Sequence, residues 1–272
     1  MKIKPIILLT LMLMSGICAF CQTPPKEFFE GMDSLYTNPV LAKKDLQIAA
    51  AKMPQFHGTY HFLGVISLNE KKPDSAIVYF IKSIALNEGN INHTKEFTYV
   101  RLINTYAQQQ DFANAFKTAW DAANLYPDSK VILATLHDLC LWSYYIKHNE
   151  LDPGYLSPDI KPEYVVNNID EEYLITRNLR VNDHPLATTE QKLVNKNTAS
   201  YDVLKCVVTQ TKQEVEVSFK INWDMGKYFG GKPGPAQEVI SDTKNPVYER
   251  VGAMLVLDSK TDIKSSIEKM TH

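Results

Sequence analysis

Residues 58–88 read GTYHFLGVISLNEKKPDSAIVYFIKSIALNE, and their reading decides the fold. Tyr60, Leu63 and Gly64 recur at helical spacing, and so do Ala76, Phe80 and Ser83 further on, so the stretch is a pair of amphipathic helices joined by a turn. Working outward, Ala42, Leu46, Ala49 and Pro54 repeat the second-helix pattern before it; Ala115, Ala119, Ala122 and Pro127 repeat it after. The steps are 76 − 42 = 34 and 115 − 76 = 39 residues. A hairpin of this size cannot bury its apolar side alone, so recurrence at this period implies stacked hairpins forming a recognition scaffold.

The same residues carry a resemblance to the tetratricopeptide repeat family, which covers roughly residues 26–147. Tyr60, Leu63 and Gly64 stand where the family has its first-helix aromatic and Leu-Gly pair, and Ala76 and Phe80 stand where its second helix has a small and a large packing residue. Ser67 replaces the usual late aromatic of the first helix, and Glu88 the terminal proline. In the third unit Tyr99, Leu102 and Tyr106 match the first helix, with Ile103 in place of Gly, and Ala115, Ala119, Ala122, Leu125 and Pro127 match the second. The five extra residues fall in the polar stretch Gly89 to Glu96. Before these units, Phe28, Phe29, Met32 and Leu35 or Tyr36 predict one helix, Thr37 to Pro39 break it, and Val40 to Met53 form its partner. Ser129 to Lys147 supplies a further helix with Leu136 and Cys140. Pro153, Gly154, Pro158 and Pro162 forbid a partner, so this helix is read as a cap and Asn149 to Lys161 as a linker.

Beyond the linker the period changes. A short strand is expected over Tyr164 to Ile169 and a helix start at Asp170, Glu171 and Glu172. Asn182 to Ser200 is a polar stretch. Two alternating strands come next, Leu204, Cys206 and Val208 on one face, then Val215, Val217, Phe219 and Ile221, joined by a hairpin over Thr209 to Gln213. Val251 to Leu257 is read as a further strand and Ile263 to Met270 as a terminal helix. Residues 151–272 thus form a small α+β domain behind a helical domain of residues 22–150. The runs at Tyr201 to Leu204, Phe219 to Asn222 and Phe229-Gly230 resemble a domain of unknown function found behind helical repeats in secreted bacterial proteins, a resemblance that implies no activity.

Composition excludes some classes. The chain has 272 residues, 44% of them hydrophobic, with net charge −2, which offers no basic footprint for nucleic acid. Lys2 and Lys4 precede the uncharged run Ile6 to Phe20, whose fifteen residues fall short of the roughly 20 needed to span a bilayer. Small residues in Ala19-Phe20-Cys21 suit cleavage before Gln22, so residues 1–21 are read as a signal peptide and the mature protein as periplasmic or secreted, without an integral membrane span. Uncleaved anchoring is the alternative. Lipidation at Cys18 or Cys21 is disfavoured by the bulky Ile17 and Phe20 before them. Cys140 and Cys206 remain after cleavage, read as two buried thiols, with a bridge between them left open.

Few residues carry chemistry. His57 and His61 share a helix face at metal-ligand spacing, but no third ligand is evident and Gly58 stands where a zinc protease needs Glu. Gly230-Gly231-Lys232-Pro233-Gly234 lacks the Ser or Thr and the helix start of a phosphate loop. His137 with Asp138, and Asp183 with His184, are local pairs without a nucleophile. Trp142, Tyr144 and Tyr145 form an aromatic cluster read first as core and second as a ligand site. No metal, cofactor or catalytic residue is therefore expected. The expected work is binding of a protein or peptide partner, which the family geometry would place on a concave face exposing His61, Asn69, Val100, Asn104, Gln108, Asp138 and Trp142. No cluster of Lys or Arg is read on that face, so capture of a carboxylate-terminated peptide, as in some members of the family the chain resembles, is not expected. The competing class is a small-ligand binder or enzyme with its site in the C-terminal part, which a pocket of convergent polar groups would favour.

Overall fold

The computed structural model describes residues 23–90, 93–196, 199–222 and 235–271. The expected signal peptide, the glycine-rich loop and the Phe229-Gly230 dipeptide lie outside the described residues. The chain divides into two compact units at Gly89/Asn90, and residue 150 lies inside the second. It is mostly helical, with one five-stranded sheet in the second unit.

The first unit holds α1 (Lys26–Asp33), α2 (Pro39–Lys52), α3 (His57–Asn69) and α4 (Pro73–Leu86), which pack as two antiparallel hairpins with α2 against α3. Asn38 caps α2 by accepting from the Leu41 amide, and Pro39 and Pro73 open α2 and α4 where no amide is needed. Ala42, Leu46, Ala49, Ile66, Ala76 and Phe80 are fully buried. Glycines set the closest approaches: a Cβ on Gly31 would lie 2.8 Å from Leu46 Cγ, and one on Gly64 2.5 Å from Phe80 Cε1. Gly31 does in the first hairpin what Gly64 does in the second.

The second unit opens with α5 (Thr94–Gln108), α6 (Phe112–Leu125) and α7 (Lys130–His148). Asp111 and Ser129 cap α6 and α7 through the Asn114 and Ile132 amides. The α3–α4 and α5–α6 turns are alike. Lys71 and Gln110, 110 − 71 = 39 residues apart, both take left-handed backbone, and the next amides, Lys72 and Asp111, return to the Ser67 and Tyr106 carbonyls.

After a 3₁₀ turn at Pro153–Leu156 come β1 (Tyr164–Val166), α8 (Ile169–Asn178), β2 (Arg180–Val181), β3 (His184–Lys196), β4 (Ala199–Val208) and β5 (Glu214–Ile221). The sheet order is β1-β5-β4-β3-β2, with β1 parallel to β5 and the other pairs antiparallel. Tyr164 pairs with Phe219 and Leu204 with Val217, placing one apolar face against Leu174, Ile175 and Leu179 in a shared core. Asn168 caps α8, two residues before the expected start.

Two expectations need correction. The polar stretch after Asn182 contains β3, a thirteen-residue strand that pairs with β4 through a bulge at Thr188/Glu190. Val251 to Leu257 is not a strand but lies in α10 (Val247–Leu257), between α9 (Ala236–Ser241) and α11 (Ile263–Thr271). α10 packs on α7, where a Cβ on Gly252 would stand 2.2 Å from the Cys140 carbonyl oxygen, and His148 Nε2 lies 2.9 Å from Glu249 Oε2. The long α7 is therefore covered by α10, and Tyr144 and Tyr145 are buried in a core continuous from Ile103 to Ile267.

Candidate functional site

A cavity of about 340 Å³ opens in the second unit. One wall is α5, which supplies Val100, Asn104 and Ala107 at four- and three-residue steps, hence from one face. The next is α7, with Val131, Ala134 and Thr135, Asp138 and Leu139, and Trp142 on successive turns. Leu156, then Arg177 and Asn178 from the end of α8, Arg180 from β2 and Leu186 from β3 close it.

The polar groups are held in a charge-paired frame. Arg177 grips Asp138 with two bonds, Nη2 to Oδ1 at 2.8 Å and Nε to Oδ2 at 3.3 Å, while His137 Nδ1 lies 3.1 Å from Oδ1. Burial pushes the Asp138 carboxyl up, but the bonds from His137 and Arg177 and the charge of Arg177 outweigh it and hold the group below the usual carboxylate range. Arg180 spends Nη1 on the Arg177 and Leu179 carbonyls, at 2.6 and 2.8 Å. Beside it, Asn182 and Asp183 both take positive φ, 47° and 66°, the geometry of a two-residue hairpin turn, and Asp183 reaches Arg101 Nη2 at 2.7 Å. Burial lowers the pKa of Arg180, and Arg101 lowers it further against the pull of Asp183 and Asp138; the guanidinium nonetheless stays charged. Asn178 donates to the Leu156 carbonyl at 2.9 Å, fixing the 3₁₀ turn as a rim.

Of the residues read from the sequence, Val100, Asn104, Asp138 and Trp142 come together here. Trp142 is only 5% exposed, which agrees with the reading of Trp142, Tyr144 and Tyr145 as core and not with exposure on a concave face. Gln108 is half-buried at the end of α5 and does not line the cavity. His61 and Asn69 belong to the first unit, His61 half-buried against the rings of Phe62 and Phe80 and Asn69 exposed at the end of α3. Among the described residues no group of three His, Cys, Asp or Glu is placed to hold a metal. Cys140 and Cys206 are buried and unbridged, and burial pushes both thiols up.

Sequence reading missed the arginines. Arg177 in the last turn of α8 and Arg180 at the start of β2 sit three residues apart, and in sequence they read as ordinary basic character at a helix C-terminus. Nothing local ties them to Asn104 and Asp138. Comparison with protein-family models, with curated proteins and with solved structures found no match. No helix among the described residues is long and apolar enough to cross a membrane.

Proposed function

We propose that this chain is a non-catalytic binding protein of the cell envelope, built on tetratricopeptide-like helical hairpins, whose recognition site is the cavity between α5, α7 and the α8–β3 segment. The observation that carries the reading is the convergence of Asn104, Asp138, Arg177 and Arg180 on one cavity of mixed polar and apolar lining. Support for the repeat likeness comes from the matching turns at Lys71 and Gln110 and from the buried small residues Ala42, Ala76 and Ala115. Support for binding over catalysis comes from the charge frame. Asp138 is held ionised in a bidentate pair, and a guanidinium does not exchange protons at neutral pH, so neither suits general acid–base work. Export rests on Lys2, Lys4 and the apolar run after them.

The second reading, a small-ligand binder, draws on the volume, which lies at the low end of ligand sites and suits a small molecule or one side chain of a partner. Affinity capture from an envelope extract, with native mass spectrometry for small ligands, tests both. The wild-type chain should retain a partner or ligand that is lost when Ala134→Leu fills the cavity in a chain of unchanged circular dichroism. Identical captures by the two chains would contradict the site.

A further inference from the structure

The outer edge of the sheet is long and exposed. β3 has β4 on one side, and on the other side β2 pairs with it only at His184 and Pro185 among the described residues. Every residue from Ala187 to Leu193 is exposed, Leu193 at 59%. A strand edge in this state is a template for one more strand. The bulge at Thr188/Glu190 interrupts the strand there, so the regular stretch runs from Glu190 to Lys196 and reads EQKLVNK.

That stretch is self-complementary about its centre. When two copies run antiparallel about Leu193, Glu190 stands opposite Lys196 of the second copy, Gln191 opposite Asn195, Lys192 opposite Val194, and Leu193 opposite itself. Unlike charges then meet at both ends, amide meets amide, and the two exposed leucines cover each other at the axis. The neighbouring registers are penalised. An axis at Lys192 sets that lysine against itself, an axis at Val194 sets Lys192 against Lys196, and parallel in-register pairing sets Glu190 against Glu190. The face of the sheet adds to the fit. Gln191 Oε1 accepts from the Tyr173 hydroxyl of α8 at 3.4 Å, so Leu193, two residues further on, shares the face that carries α8. On α8 the exposed Ile169 and Tyr173 stand one turn apart and extend the apolar strip on that face. We infer that this chain pairs with a second copy of itself through β3, antiparallel across a twofold axis at Leu193, joining two five-stranded sheets into one.

The test is sedimentation velocity of the full chain over a range of concentrations, with variants that read the register. Wild type should pass from monomer to dimer as concentration rises. Glu190→Lys, which sets lysine against lysine at both ends, should weaken the dimer about tenfold or more. Adding Lys196→Glu restores the complement and should return the affinity to within about threefold of wild type. Leu193→Cys places two thiols at directly opposed positions, where Cα atoms stand about 4.5–5.5 Å apart and within reach of a disulfide. Mild oxidation should join them, and mass spectrometry should find the peptide linked 193 to 193. Thr189→Cys, about 27 Å from its counterpart in this register, should stay unlinked. Glu190, Leu193 and Thr189 are exposed, so circular dichroism should not change in these single variants. A chain that stays monomeric up to about 0.5 mM would overturn the inference. So would a dimer that Glu190→Lys leaves unchanged or that Lys196→Glu fails to restore, or one that is linked no more readily at 193 than at 189.

Discussion

Phe80 Cε1 lies 2.5 Å from the point where a Cβ on Gly64 would stand, and the Phe80 ring is fully buried. The ring therefore has nowhere to retreat, and the α3–α4 hairpin depends on a missing methyl group. At an unobstructed helix position Gly→Ala gains up to about 1 kcal/mol. Here Gly64→Ala should instead cost about 1–3 kcal/mol by overpacking, read as a lowered urea midpoint. Adding Phe80→Leu should recover part of that loss, and a stabilising Gly64→Ala would contradict the packing.

Ala76 and Ala115 are fully buried at matching places in two hairpins. Replacing either by Leu forces extra methylenes between packed helices, at an expected cost of about 1–3 kcal/mol. Denaturation midpoints that stay put in both variants would count against equivalent roles.

Gly252 supports a similar expectation where α10 crosses α7. A Cβ there would meet the Cys140 carbonyl oxygen at 2.2 Å and Tyr144 Cβ at 2.8 Å, backbone and near-backbone atoms that cannot rotate away. Gly252→Ala should part the two helices, costing about 3 kcal/mol or more, and limited proteolysis should then cut near α10 sooner. A protease pattern and melting temperature equal to wild type would argue against this crossing.

Glu172 on α8 and Asp202 on β4 are both buried, and Gln191 on β3 donates to Asp202. Burial, then the charge of Asp202 and the hydrogen bond with it, raise the Glu172 carboxyl from its usual 4.5 to about 8. The folded chain thus holds this proton more tightly than the unfolded chain. The stability it contributes is complete below the usual value and is lost as pH rises through about 8. Glu172→Gln, which carries no charge to bury, should match wild type near pH 5 and gain on the order of 1–2 kcal/mol over it by about pH 9. Melting curves of the two chains across that range check it, and a gap that narrows with rising pH would reverse the sign.

The helical hairpins were legible because burial follows the 3.6-residue period: Ala42, Leu46 and Ala49, or Ala115, Ala119 and Ala122, are each the buried face of one helix. The C-terminal half was legible only where a strand buries one face, as in Leu204, Cys206 and Val208. β3 is exposed over most of its length, so no alternation marks it. Residues 251–257 form an unbroken apolar run because α10 is covered on several sides, and such a run carries no period by which helix and strand are told apart. The cavity was half legible. Asn104 and Asp138 lie on helix faces that spacing reveals, whereas Arg177 and Arg180 reach them through a chain reversal that no local pattern encodes.

The central claim is that the α5–α7–α8 cavity is where this chain meets its ligand or partner, and site-specific photocrosslinking tests it most directly. A benzophenone amino acid placed at Ser157, which follows the lining Leu156 on the rim of the cavity, with one at the exposed Lys117 of α6 as control, is irradiated in cells making the chain. The account predicts an adduct from position 157 that is absent from position 117 and is lost when Ala134→Leu is added. Adducts of equal yield from both positions, or none from 157, would contradict it.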